Sequence, residues 1–263
     1  MALTPLKLYW SYGRPNFGDW LSPALCQLLS GRTIEQADPN RCDLVAVGSI
    51  LHRIKQRWFN RRIHIWGTGF MAEHPEIPCR HYYHAVRGWH TARLIRGAEI
   101  KTVGDPGLLA DRLLPDHAAT PKTCSLGLVP HYLDREVPFV KTLASQIPGT
   151  VVLDVFLEPL EFLRRAAACE FILSSSLHGL IVADSFGIPN AWISLSDSVR
   201  GAGFKFADYY SVFGMNNPRP IDLGSGLSAA RLNELARSYL RPGLDEIKHG
   251  LLTSFPFPKR AIA

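Results

Sequence analysis

An α/β fold, with parallel sheets covered by helices on both faces, is predicted by three observations. Short apolar runs recur at residues 7–10, 44–48, 63–67, 82–86, 100–103, 125–129, 151–155, 171–173 and 191–195, each of a length that suits a buried strand. Between them lie segments with apolar residues three and four apart, such as Leu21, Leu25, Leu28 and Leu29, or Leu160, Leu163 and Ala167, the spacing of an amphipathic helix. This alternation favours parallel sheets. The third observation is the stretch 113–122, LLPDHAATPK, which is polar, rich in proline and alanine, and without periodicity. It divides the chain into residues 1–116 and 122–263, two Rossmann-like halves with about five and about four strands that would face each other across a cleft.

Taken in order, the opening MALTPLKLYW has no basic segment followed by a long apolar core, so it reads as a first strand and not as a secretory leader. Asn16-Phe17-Gly18-Asp19 leads into a helix over 21–29, with Asp19 suited to cap it and Gly18 to turn the chain. Gly67-Thr68-Gly69 follows the third run as a tight loop, and Arg87 follows the fourth, just before Gly88. In the second half, His131 and Tyr132 end the run 125–129. Residues 227–252 have helical spacing broken at Pro242-Gly243, and the tail from 254 is irregular.

With 263 residues, 46% of them hydrophobic, the chain can bury one large core or two modest ones. A net charge of +6 points to anionic partners: phosphorylated substrates, acidic lipid head groups or nucleic acid. Nucleic acid is disfavoured, since no helix-turn-helix, zinc-finger or RNA-binding aromatic motif is found. Cys26, Cys42, Cys79, Cys124 and Cys169 are odd in number and form no C-x-x-C pair, which fits reduced thiols in a cytosol. No apolar run reaches the roughly 18 residues a bilayer span needs, so membrane contact would be peripheral.

The richest segment is 171–195, FILSSSLHGLIVADSFGIPNAWISL, a strand, a polar turn, a helix and a second strand. Strand-to-helix turns in parallel sheets offer free backbone N–H groups and a favourable helix dipole to an anion. Ser174, Ser175, Ser176 and His178 stand at that turn. The plainer reading makes the serines helix caps and His178 a packing residue. Arg87 at a strand end could grip a carboxylate or phosphate bidentately, or snorkel over Trp89. Lys205, between Phe204 and Phe206, could be a fixed point charge or a stem covering apolar surface.

These residues resemble the polysaccharide pyruvyl transferase family. The likeness is carried by Ser176-Leu177-His178-Gly179 with Ala183 and Phe186-Gly187-Ile188-Pro189, by Asn16-Phe17-Gly18-Asp19, by Gly67-Thr68-Gly69-Phe70, by Val86-Arg87-Gly88 and by Val103-Gly104-Asp105-Pro106. Gly203-Phe204-Lys205-Phe206 with Asp208-Tyr209-Tyr210 resembles the exopolysaccharide, xanthan-type branch, and the likeness spans residues 6–215. It implies a GT-B-like pair of domains and transfer of pyruvate, as a ketal, from phosphoenolpyruvate to a terminal sugar of a polyprenyl-diphosphate-linked oligosaccharide. No other cofactor and no metal are implied. The C-terminal half would hold the donor through Arg87 of the facing half, Lys205, Ser174, Ser175, Ser176 and Arg200, with His178 and His131 in acid or base roles. The N-terminal half would hold the acceptor through Asn16, Gly18 and Asp19, with Asp19 a possible base. Many members carry a basic residue where Ser176 stands, and Arg200 could supply the charge missing at that position.

Residues 53–62, RIKQRWFNRR, mix five cations with two aromatics. Arg57, Trp58, Phe59 and Arg61 suit an anionic bilayer, which would place the protein on the cytoplasmic face of the inner membrane; an ordinary solvated basic helix is the alternative. His81 and His84 fall on opposite faces of a strand, which disfavours a metal. Two competing functions stay open: a nucleotide-sugar glycosyltransferase of the same architecture, disfavoured because no two glutamates lie eight apart in the second half, and a non-enzymatic membrane assembly factor.

Overall fold

The computed structural model describes residues 3–13, 16–196, 202–224 and 226–259. Its strand pairings are all parallel among the described residues, and parallel neighbours require crossovers, which the helices supply. In the first half the chain runs β1 (Leu6–Tyr9), α1 (Phe17–Ser30), β2 (Ile34–Gln36), β3 (Leu44–Val45), β4 (His64–Trp66), β5 (Ile77–Pro78), β6 (Tyr82–Ala85), α2 (Trp89–Arg93) and β7 (Ile95–Arg96). The main sheet has the order β2-β1-β3-β4-β6, with β5 and β7 paired separately. The second half runs β8 (Leu126–Val129), α3 (Pro138–Gln146), β9 (Thr150–Val152), α4 (Pro159–Ala167), β10 (Ile172–Ser174), α5 (Leu177–Ser185) and β11 (Asn190–Trp192). Its sheet has the order β11-β10-β8-β9. Helices α6 (Ala202–Tyr210), α7 (Ala229–Arg237) and α8 (Leu244–Thr253) follow.

Both sheets share one strand logic. In each, the second strand lies on one side of the first and the third strand on the other, so the connections diverge and leave a crevice at the carboxyl ends. That crevice falls between β1 and β3 in one sheet and between β8 and β10 in the other.

A single apolar cluster joins the halves. Phe17 of α1 stacks on Phe162 of α4 with ring centroids 3.4 Å apart, and the Phe17 N–H donates to the Val155 carbonyl at 2.8 Å. Both α1 and α5 pack on the 3-10 segment Pro106–Leu113, whose Leu108, Leu109 and Ala110 are fully buried. Asp105 caps that segment, accepting from the Gly107 N–H at 2.9 Å. The stretch expected to be an irregular linker contains a further 3-10 turn, Pro115–Ala119. The chain end returns to the first sheet: Trp66 Nε1 donates to the Leu251 carbonyl at 2.9 Å, and Phe255 packs edge-on against the same indole.

The strand expected at 100–103 is reduced to one bridge, Val86 with Val103. The N-cap of α1 is Asn16 and not Asp19: Asn16 Oδ1 accepts from the Asp19 N–H at 3.0 Å, and its Nδ2 donates to Asp19 Oδ2 at 2.6 Å. A polar residue before the helix and a second one at its third position satisfy each other reciprocally.

Because the core is shared, Phe162→Ala is expected to cost about 3–5 kcal/mol and to lower one cooperative transition. Calorimetry resolving two transitions, with only one displaced, would contradict a common core.

Candidate functional site

The two crevices open onto the same cavity, of about 580 Å³. After β1 come Ser11, Asn16 and Asp19; after β3 come Ser49, Ile50, His52 and Arg53. From the other sheet, His131, Tyr132 and Leu133 follow β8, Ser176, Leu177 and His178 follow β10, and Lys205 reaches in from α6. Residues about 160 apart in sequence, such as Asn16 and His178, therefore share one wall system because strand ends converge there.

The β10 turn is held from behind. Ser174 Oγ donates within the turn and accepts from the Ser176 N–H at 3.0 Å. Ser175 Oγ donates to Asp134 at 2.6 Å and accepts from the His131 N–H at 2.8 Å, tying the β8 and β10 loops together. Asp134 also accepts from Ser196 at 2.5 Å. Ser174 and Ser175 are thus spent on the scaffold. Only Ser176 lines the cavity, and it makes no side-chain hydrogen bond to cap α5.

His178 is half-buried, with its ring edge-on to Phe17. Gly18 packs directly against this ring: a Cβ at that position would come 2.0 Å from His178 Nδ1. The missing side chain makes room for the imidazole. Burial, reinforced by the charges of Lys205, Arg87 and His131, pushes the His178 pKa down to about 3. His131 is lowered to about 4, chiefly by burial and then by Lys205. Both rings are neutral near pH 7 in the empty cavity. Burial raises Asp19 to about 6, opposed by its hydrogen bond to Asn16 and by Arg53 and Lys205.

Lys205 is 6% exposed and has no salt bridge among the described residues. Its ammonium lies 5.5 Å from the Phe206 ring centroid. Burial and then Arg87 lower it to about 8, so it remains largely charged at neutral pH. Asp134 and Asp19 partly offset that lowering without forming a direct ion pair, and a buried cation held only by such longer-range attraction is costly.

Arg87 does not line the cavity. It is fully buried and paired with Asp208 of α6, Nη2 to Oδ2 at 2.9 Å and Nε to Oδ2 at 3.0 Å. It also donates to the Phe70 carbonyl at 2.6 Å and to Ser49 Oγ. Asp208 further accepts from the Thr91 N–H at 2.8 Å and Thr91 Oγ1 at 2.7 Å. Arg87 therefore fastens α6 to the first half, and Lys205, one turn before Asp208, is aimed by that fastening. Gly69 admits the guanidinium, since a Cβ there would lie 2.7 Å from it.

The structure thus brings together Asn16, Asp19, His131, Ser176, His178 and Lys205 at one cavity. It puts Gly18, Arg87, Ser174 and Ser175 behind the wall, while Arg200 lies outside the described residues. Arg57, Trp58, Phe59 and Arg61 belong to a separate turn. Ser11, Ser49, His52 and Met71 carry no local mark in the sequence, and Arg53 is marked only as part of the basic segment 53–62; the signal that places them at the cavity is the strand order.

Two parallel α/β sheets contribute their strand ends to one cavity lined by imidazoles and a buried lysine. The profile of the family described as polysaccharide pyruvyl transferase matches residues 5–197. The chain belongs to that family. It is 28% identical over 231 residues to the succinoglycan biosynthesis protein ExoV of Rhizobium meliloti (strain 1021), covering 84% of this chain and 69% of that one. It is 29% identical over 162 residues to the uncharacterized protein L143 of Acanthamoeba polyphaga mimivirus, covering 59% of this chain and 56% of that one.

Two substitutions should act in opposite directions. Asp208→Asn leaves Arg87 buried without its counter-charge and is expected to cost roughly 3–5 kcal/mol. Lys205→Met removes a buried cation that makes no direct ion pair among the described residues and is expected to leave the melting temperature unchanged or raised. A Lys205→Met protein that melts well below the parent would refute the reading of that charge.

Proposed function

We propose that this protein transfers pyruvate from phosphoenolpyruvate, as a ketal, onto a terminal sugar of a lipid-linked exopolysaccharide repeat unit. The observation that carries the reading is the Lys205 ammonium on the cavity wall with no ion pair among the described residues. Phosphoenolpyruvate brings a phosphate and a carboxylate on adjacent atoms, and would supply the missing negative charge.

In this scheme the donor rests near Lys205, the Ser176 hydroxyl and the start of α5, where helix N–H groups favour anions. Its arrival reverses the charge balance around the two imidazoles. A nearby dianion raises the pKa of His178 and His131, so rings that are neutral in the empty cavity gain the ability to hold a proton. One protonated imidazole gives its proton to the vinyl CH2, and C2 becomes oxocarbenium-like. A sugar hydroxyl adds to C2, losing its proton to Asp19 or to the second histidine. A second hydroxyl of the same sugar then bonds to C2 as the C2–O bond to phosphate breaks, and its proton passes to the departing phosphate, so the ketal closes and inorganic phosphate is released. Asp19, with its pKa near 6, can accept a hydroxyl proton and return it within the working pH range. No step calls for a metal or a further cofactor. Arg53 and His52, on the rim, face the incoming acceptor.

In this reading the halves 1–116 and 122–263 act as GT-B-like acceptor and donor domains, Arg200 supplies a further donor contact, and the enzyme works peripherally at the cytoplasmic membrane face. No helix among the described residues is long and apolar enough to cross a membrane.

Phosphate release with lipid-linked oligosaccharide acceptor tests the reading: phosphoenolpyruvate is expected to support it and a nucleotide sugar is not. His178→Ala should reduce turnover by roughly a hundredfold or more with little loss of fold. KM for phosphoenolpyruvate should rise as pH passes about 8, where Lys205 loses its proton. Turnover with a nucleotide sugar in place of phosphoenolpyruvate would overturn the assignment.

A further inference from the structure

The turn at residues 54–62 stands apart from the cavity and is built to protrude. Leu51 and Ile54 plant it in the core at 0% and 4% exposure, whereas Trp58 and Phe59 are 83% and 63% exposed. It is a turn and not the basic helix that its charge pattern also allowed. Arg80 fixes its shape by donating to the Arg57 carbonyl at 3.4 Å, the Trp58 carbonyl at 2.8 Å and the Asn60 carbonyl at 2.5 Å. The Asn60 N–H closes back to the Arg57 carbonyl at 3.1 Å. Two large aromatics, packed edge to face with centroids 5.8 Å apart, are thus held out in water on an ordered backbone. Neither gains from that position in an isolated soluble chain.

The charges around them have one sign. Arg57 lies over the Phe59 ring at 5.9 Å, and Arg62 lies over the half-exposed Tyr82 ring at 5.3 Å. Lys55 and Arg80 complete the set, and residues 53–62 contain no acidic side chain. Arg61 contributes less than its type suggests, because it is paired with Asp43. Aromatics at a tip, ringed by cations of which only Arg61 is paired with a carboxylate among the described residues, match the head-group layer of an anionic bilayer: the rings settle at the interface and the cations meet lipid phosphates.

We propose that this turn docks the protein on an anionic phospholipid bilayer, with Trp58 and Phe59 entering the head-group region and Arg57, Arg62 and Arg80 contacting lipid phosphates. Arg53 lines the cavity and Trp58 is five residues further on, so the tip lies within about 18 Å of the rim by chain length alone. Docking there brings the cavity mouth to the height at which a sugar on a membrane-anchored carrier is presented. The purpose of the contact rests on the acceptor proposed above; its existence does not.

The test is co-sedimentation of the full chain with phosphatidylcholine vesicles with and without phosphatidylglycerol. Binding is expected only with phosphatidylglycerol and should weaken as salt is added. The double variant Trp58→Ser, Phe59→Ser should lose roughly tenfold or more in vesicle binding, and Arg57→Glu with Arg62→Glu at least as much. These side chains are exposed, so folding should survive, with phosphate release on a detergent-dispersed acceptor unchanged. Equal binding to neutral vesicles, binding indifferent to the aromatic variant, or no binding at all would overturn the proposal. So would tip-independent capture of a soluble polyanion as strong as vesicle binding. If vesicle binding holds while phosphoenolpyruvate is not consumed, the docking surface stands and the donor assignment falls.

Discussion

A lysine ammonium held at a cavity wall, with no ion pair among the described residues, is the constraint around which this molecule is arranged. Lys205 cannot relax toward solvent, because its helix is fastened on both sides. Asp208 binds Arg87 and Thr91 of the first half, while the neighbouring Tyr209 hydroxyl donates to Asp184 of α5 at 2.5 Å. Asp184 in turn holds Arg241 at 3.0 Å and Asn190 at 2.6 Å. Two buried acid–base networks, one in each half, thus grip consecutive residues of α6. Networks of this kind are poor sources of net stability but fix geometry well. Here the geometry they fix is the aim of a single charge.

The same charge explains the state of its neighbours. Desolvation and then the Lys205 charge lower both His178 and His131, with Arg87 adding to the effect at His178 and Asp134 opposing it at His131, and the absence of a side chain at Gly18 lets the His178 ring lie against α1. Cation and imidazoles thus share one desolvated wall, with Asp134 and Asp19 partly offsetting the lysine charge. Sites that sacrifice stability for function in this way are the usual exception to local consistency between sequence and fold.

How much of this was legible depends on whether the determining contact is local. The buried central strands β1, β3, β4, β8 and β10 announce themselves as apolar runs, and the β10 turn displays Ser176 and His178 next to one. The edge strand β2 does not: two of its three residues are exposed, so no run marks it. Without β2 the strand order is undetermined, the crevice between β1 and β3 cannot be located, Ser49 and His52 go unnoticed, and Arg53 is read only as part of the basic segment 53–62. Arg87 shows the second limit. Its place at a strand end was readable, but its direction is set by a carboxylate 121 residues away, and no local pattern encodes that. Ser174 and Ser175 look equivalent to Ser176 in sequence, and only the partners Val129 and Asp134 separate scaffold from cavity wall.

Proton-linked calorimetry tests the central claim most directly. Phosphoenolpyruvate titrated into the parent protein near neutral pH, in buffers of different ionisation enthalpy, should bind with net proton uptake as the imidazoles rise toward their ordinary pKa. Replacing Lys205 by Met should abolish the binding in a protein that is still folded. Binding without proton uptake, or undiminished binding in the Lys205→Met protein, would contradict the account.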